Sequence, residues 1–177
     1  MSKTLWVIDP VHSEITFKVR HMMITNVGGC FDHFEAKMRS SADDFSDAEM
    51  SFEASIDSVN TRNENRDTHL KSADFFDAEN HPKLSFVSSK LTKKDQNQYT
   101  LEGDIMIRGV QKKIELQAEY LGSVIDPWGQ VKAGFEIEGS IDRTEFGLNW
   151  NTALEEGGLA LSESVMLKIT VQMIKQI

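Results

Sequence analysis

The residues whose types and spacing could do chemistry lie in one segment, Arg66-Asp67-Thr68-His69-Leu70-Lys71-Ser72. Asp67, His69 and Ser72 are the components of a nucleophilic relay. Such a relay needs an exposed serine on a tight elbow and donors for an oxyanion, and the chain has no Gly-x-Ser-x-Gly motif. The five histidines (12, 21, 33, 69 and 81) are scattered, without a His-x-His or Glu-x-x-His pair and without a cysteine partner, so no metal site is expected. Catalysis is not the expectation here. Arg66 and His69 have two other uses: a guanidinium matches the oxygens of an anionic head group in a bidentate way, or both side chains tie their segment to its surroundings by hydrogen bonds. Cys30 is the single cysteine and excludes an internal disulfide; a small, half-buried strand residue is its simplest role.

The segment around these residues, Asn60 to Pro82, is the one long stretch that reads neither as strand nor as turn. Connections between elements usually run ~4–6 residues, and longer ones tend to be functional. Asn60 or Thr61 is a suitable helix cap, Glu64 suits a first turn, and Leu70 and Lys71 close the helix. Phe75 and Phe76 come next, in an otherwise charged stretch. Adjacent side chains do not share a helix face, so at least one ring is expected to leave the helix and plug an apolar interior. The segment reads as a helical lid around residues 60–80.

Everything else alternates with period two. Ile15, Phe17 and Val19 face away from Glu14, Thr16, Lys18 and Arg20. The same alternation marks Met50 to Ile56, Leu84 to Ser89, Tyr99 to Ile107, Ile114 to Tyr120, Val131 to Ile141 and Val165 to Met173. Gly28-Gly29 reads as a flexible joint opening a strand from Cys30 to Arg39, with a bulge between Phe31 and Phe34. About eight strands with short turns and no helical crossovers predict an all-β, up-and-down antiparallel barrel, with a sandwich as the alternative. A barrel of that size either fills with side chains or encloses one small ligand. Its inward faces are apolar, so a cavity would suit a lipid chain; the other reading of these residues is plain core.

At 177 residues the chain is expected to form a single domain, residues 1–177. A net charge of −9 argues against nucleic acid and against docking on anionic membranes. No run of 18 apolar residues is present, and residues 1–10 lack an export-signal pattern, so cytoplasmic residence is expected.

Four motifs carry a resemblance. IDPVHSEITFKVRHM, NENRDTHLKSADFFDAENHPKLSF, GDIMIRGVQKKI and GFEIEGSIDRTEFGLNW succeed one another across residues 5 to 173. Together they resemble the YceI-like family of lipid-binding proteins. The resemblance implies a lipocalin-like, eight-stranded antiparallel barrel with a helical insertion, holding a polyisoprenoid, an isoprenoid quinone or another long-chain amphiphile rather than a dissociable cofactor. Family members are often dimers, so a homodimer is an expectation. The resemblance makes Phe17, Val19, Phe52, Phe75, Phe76, Phe86, Phe135, Ile137, Phe146 and Trp150 the expected cavity lining, with Arg66 and His69 at the mouth. Asp142-Arg143-x-Glu145 reads as an ion-paired strand end and Trp128, in its turn, as a partly exposed stacking residue. The alternatives are an enzyme acting on an isoprenoid lipid and a filled-barrel interaction protein.

Overall fold

A computed structural model of the chain describes residues 2–155 and 159–177. The strands are β1 (Thr4–Ile8), β2 (Glu14–His21), β3 (Thr25–Phe31), β4 (Phe34–Ser40), β5 (Glu49–Ser55), β6 (Val59–Asn60), β7 (Lys83–Lys93), β8 (Gln98–Ile107), β9 (Val110–Ile125), β10 (Val131–Asp142) and β11 (Leu161–Lys175). One α-helix, α1 (Glu64–Lys71), lies between β6 and β7. All strand pairs are antiparallel, and β11 closes on β1, so the sheet is an eight-stranded barrel without a free edge along its closed seam.

The first three staves are each broken in the middle. β1 and β2 both pair with β11, interrupted by a 3-10 turn at Pro10–His12 that Asp9 caps by accepting from the Val11 amide. β3 and β4 are separated by Asp32 and His33, and β5 and β6 by a second 3-10 turn at Ile56–Ser58. The expected single strand from Cys30 to Arg39 is therefore two strands. Gly28 and Gly29 are not a joint: both sit inside β3, opposite Lys18 and Phe17. A Cβ at Gly29 would come within 2.6 Å of Phe17 Cζ and 2.8 Å of Thr61 Cγ2, so the glycine leaves room for the ring across the ladder.

Period-two alternation puts one residue in two inside. Trp6, Ile8, Met38, Phe45, Ala133, Phe135 and Met173 form a buried cluster at one end of the barrel. Phe45 comes from the loop after β4 and packs edge-on against Trp6, Tyr120 and Phe135 at centroid distances of 5.2–5.3 Å. Tyr99 donates its hydroxyl to the Asp44 carbonyl and fixes that loop. Asp47 holds the loop from within, accepting from Ser40 Oγ at 2.6 Å and from the amides of Ser41 and Ala42. This end is packed shut.

The opposite end carries α1. Its cap is Asn63, whose side chain accepts from the Arg66 amide at 2.9 Å, rather than Asn60 or Thr61. Asn63 wins because the hydroxyl of Thr61 is already committed to Asp67, at 2.5 Å. No α1 residue is fully buried. The lid is held instead by the two rings beyond the helix: Phe75 is 5% exposed, and Phe76 packs against Phe31 at 6.0 Å between centroids.

Candidate functional site: the barrel cavity

Between the closed end and the lid lies a cavity of about 700 Å³. That volume falls in the range of small-molecule sites, ~300–1,000 Å³. The barrel is thus not filled by its own side chains. All twelve residues expected at the site stand in the cavity wall. Strand register explains the layers. Ile137 pairs with Ile169, which pairs with Ile15, and these three line the middle of the barrel. Phe52 and Phe86 face each other on β5 and β7, and Phe135 belongs to the closed end. Phe17 and Val19, on β2, lie toward the lid.

At the lid the aromatic side chains meet. Phe75 lies 5.0 Å from the His69 ring and 5.6 Å from Trp150, and His69 lies 4.7 Å from Trp150, edge-on. Phe146, 1% exposed, stands behind them. Arg108 Nη1 donates to the carbonyls of Phe75 and Gly147, at 2.8 and 3.0 Å, and so joins the lid to the barrel rim. The tip between β2 and β3, Met22, Met23 and Ile24, is exposed beside this mouth; Met22 donates its amide to the Ala160 carbonyl, continuing the β2–β11 ladder beyond the His21–Leu161 pair.

The polar residues of the lid do not converge on a nucleophile. Asp67 accepts from the Thr61 amide at 2.9 Å and from its hydroxyl. His69 Nε2 is bonded to Asp74 Oδ2 at 2.8 Å, and Ser72 Oγ donates to the His69 carbonyl at 2.6 Å. Each of the three is satisfied separately, with structural geometry. Arg66 donates from Nε to Thr61 Oγ1 at 2.8 Å and from Nη2 to the Thr61 carbonyl at 2.7 Å, yet it also lines the cavity. One edge of the Arg66 guanidinium thus ties the lid while the residue stands in the cavity wall.

One wall residue departs from its sequence expectation. Arg143 is not ion-paired: among the described residues no carboxylate lies within 4 Å of it. It is 4% exposed and donates to three carbonyls, Leu148 at 2.5 Å, Trp150 at 3.0 Å and Ser162 at 2.8 Å. Its Nη2 has no acceptor among the described residues. Burial lowers its proton affinity, opposed by the more distant charges of Glu163 and Asp142. Asp142 is occupied instead in capping the turn after β10, where it accepts from the Thr144 amide and hydroxyl. The one sequence signal for Arg143 is its place in a short turn after a long strand, where a side chain can fold back beneath the barrel rim.

The model of the YceI-like domain matches residues 6–173, nearly the whole barrel. The chain belongs to the YceI-like family. Among curated relatives, UPF0312 proteins of Staphylococcus epidermidis and Staphylococcus aureus are 34% and 32% identical, over 93% and 96% of this chain and 94% and 96% of theirs. The YceI protein of Campylobacter jejuni superposes with a TM-score of 0.77 at 32% identity, covering 89% of this chain and 90% of that one. At 13% identity, a polyisoprenoid-binding domain from Saccharophagus degradans shares the fold with a TM-score of 0.69, over 97% of this chain and 98% of that one. Family and fold together make the chain a YceI-like β-barrel.

Proposed function

We propose that this YceI-like barrel binds one long-chain amphiphile, a polyisoprenoid or a lipid of similar length, and carries, stores or senses it without chemical change. The observation that carries this reading is the cavity itself: about 700 Å³, walled by aliphatic and aromatic side chains, closed at one end and lidded at the other. Away from the lid, the aliphatic and aromatic wall favours an apolar chain over a polar one. An apolar chain placed there gains ~25 cal/mol for each Å² withdrawn from water, or ~0.8 kcal/mol per methylene. The head group would rest at the lid, where the polar side chains of Thr61, Asn65, Arg66 and His69 gather in the described wall. The Saccharophagus degradans neighbour is a polyisoprenoid-binding domain, which favours a polyisoprenoid as the first class to try. Residence in the cytoplasm is part of the same proposal.

Denaturing organic extraction of the purified protein, followed by mass spectrometry, tests it. A stoichiometric long-chain species is the expected result. An empty extract, repeated after incubation with polyprenyl and straight-chain lipids, would sink it.

A further inference from the structure

The chain carries a net charge of −9, yet the cavity wall has the opposite character. Among the described residues its ionic and imidazole lining consists of Lys37, Arg66, Arg143, His21 and His69, without one carboxylate. With Asp and Glu outnumbering Lys and Arg by 28 to 19, a wall carrying basic groups and no acidic ones runs against the composition. Lys37 is an exposed residue of β4, in the half of the barrel away from the lid. The two arginines are different.

Arg143 is buried and, among the described residues, has neither a carboxylate partner nor an acceptor for Nη2. A buried cation held only by carbonyl dipoles is costly unless something else supplies the negative charge. Arg66 uses one edge of its guanidinium on Thr61 and likewise has no carboxylate partner among the described residues. The two belong to one end of the cavity. Arg143 Nη1 donates to the Trp150 carbonyl, the Trp150 ring lies 4.7 Å from His69, and His69 comes three residues after Arg66 on α1. Residues at that spacing are neighbours on a helix surface.

We propose that the amphiphile is an anion, its carboxylate or phosphate seated at the lid end between Arg66 and Arg143, with its chain running down toward Phe135. This rests on the lipid-binding reading above and adds the charge and orientation of the ligand. Guanidinium forks bind both head groups through paired, charge-assisted hydrogen bonds, and the surrounding apolar wall strengthens them by excluding water. A neutral head such as an alcohol leaves the Arg143 charge uncompensated.

The test compares ligands of one chain and two charges. Delipidated protein is titrated with hexadecanoic acid against hexadecan-1-ol, and with farnesyl phosphate against farnesol, by displacement of the neutral probe N-phenyl-1-naphthylamine. At least one anion is expected to bind about tenfold or more tightly than its alcohol, a difference of about 1.4 kcal/mol. Preference for the acid alone identifies a carboxylate, and for the phosphate alone a phosphate. In Arg66→Gln and Arg143→Gln the preference shrinks while affinity for the alcohol is retained. Arg143→Gln also loosens three carbonyls, so the ligand comparison on the unaltered protein and Arg66→Gln decide if that variant does not fold. Equal affinity for anion and alcohol overturns this inference and leaves lipid binding standing. Binding of none of the four overturns both.

Discussion

The Arg108 guanidinium reaches across 33 residues of sequence to the carbonyl of Phe75, at 2.8 Å, and thereby fixes the ring that seals the barrel. Arg108 itself sits in the left-handed region, φ 51°, in the two-residue turn with Gly109 between β8 and β9. The turn aims the side chain at the lid. Asn tolerates that backbone conformation, so Arg108→Asn removes the bonds and keeps the turn. Two hydrogen bonds from a charged donor are lost, an expected cost of ~1.5–3 kcal/mol. For a domain of this size that lowers the melting temperature by roughly 3–12 °C. Lipid should also leave faster; an unchanged dissociation rate would show that the Phe75 contact does not control release.

Phe75 and Phe76 are neighbours with unequal burdens. Phe75 is 5% exposed and touches His69 and Trp150, while Phe76 is only partly buried against Phe31. Phe75→Ala is expected to lose ~3–5 kcal/mol and most of the retained lipid, with the far-UV sheet signal still native at 25 °C. Phe76→Ala should cost less on both counts. Urea unfolding and lipid carried through gel filtration measure the two.

Ile137, level with Ile15 and Ile169, stands halfway along the cavity. An indole there fills empty space rather than displacing packed atoms. Ile137→Trp should therefore cost no more than the ~1–3 kcal/mol of a small-to-large change and shorten the usable cavity. Long-chain ligands are expected to weaken by about tenfold or more, equivalent to ~1.4 kcal/mol, and short ones to change little. A uniform loss across chain lengths in a displacement series would contradict the layered geometry.

The closed end makes stability depend on acid. Hydrogen bonds from Ser40 and Ser41 hold the Asp47 carboxyl well below the usual range, and those from Ser46, with Lys93, bring Asp44 from its ordinary 3.8 to about 2. Both folded-state values are depressed, so their contribution is present above about pH 4 and is lost as pH falls through the folded values. For Asp44 the window is about pH 4 to 2. Asp47→Asn should be less stable than the unaltered protein at pH 7, and the gap should narrow below about pH 4. Urea midpoints along a pH series would show it; a constant gap would mean that the carboxylate charge contributes nothing.

The barrel is legible in the sequence because its cause is local. Alternation at Phe17, Phe52, Phe86, Phe135 and Ile137 reflects which side of a strand each residue occupies, and strand faces are set by sequence parity. The breaks are legible only in part: the phase shift between Phe31 and Phe34 marks the irregularity at Asp32–His33 but reads as a bulge within one strand, and the turn at Ile56–Ser58 leaves no mark in the alternation. Gly29 reads as a hinge because its neighbour Phe17 is twelve residues away in the chain and becomes visible only through the register of β2 and β3. Arg143 departs furthest from its expectation. Flanked by Asp142 and Glu145, it suggests an ion pair, but Asp142 is used in its own turn and the arginine folds under the rim to three carbonyls. Charges adjacent in sequence need not be partners in space.

Closure of the barrel also has a consequence in time. The seam joins Trp6 to Lys175, so the first stave must wait for the last before its inner edge is covered. On a ribosome adding ~5–20 residues per second, the greasy faces of β2, β5 and β7 emerge seconds before the strand that completes the ring. Contacts so distant in sequence make assembly slow, and the nascent chain spends that interval as an open, adhesive sheet. Shielding by a chaperone, or early capture of the lipid by the half-built cavity, would matter most during those seconds.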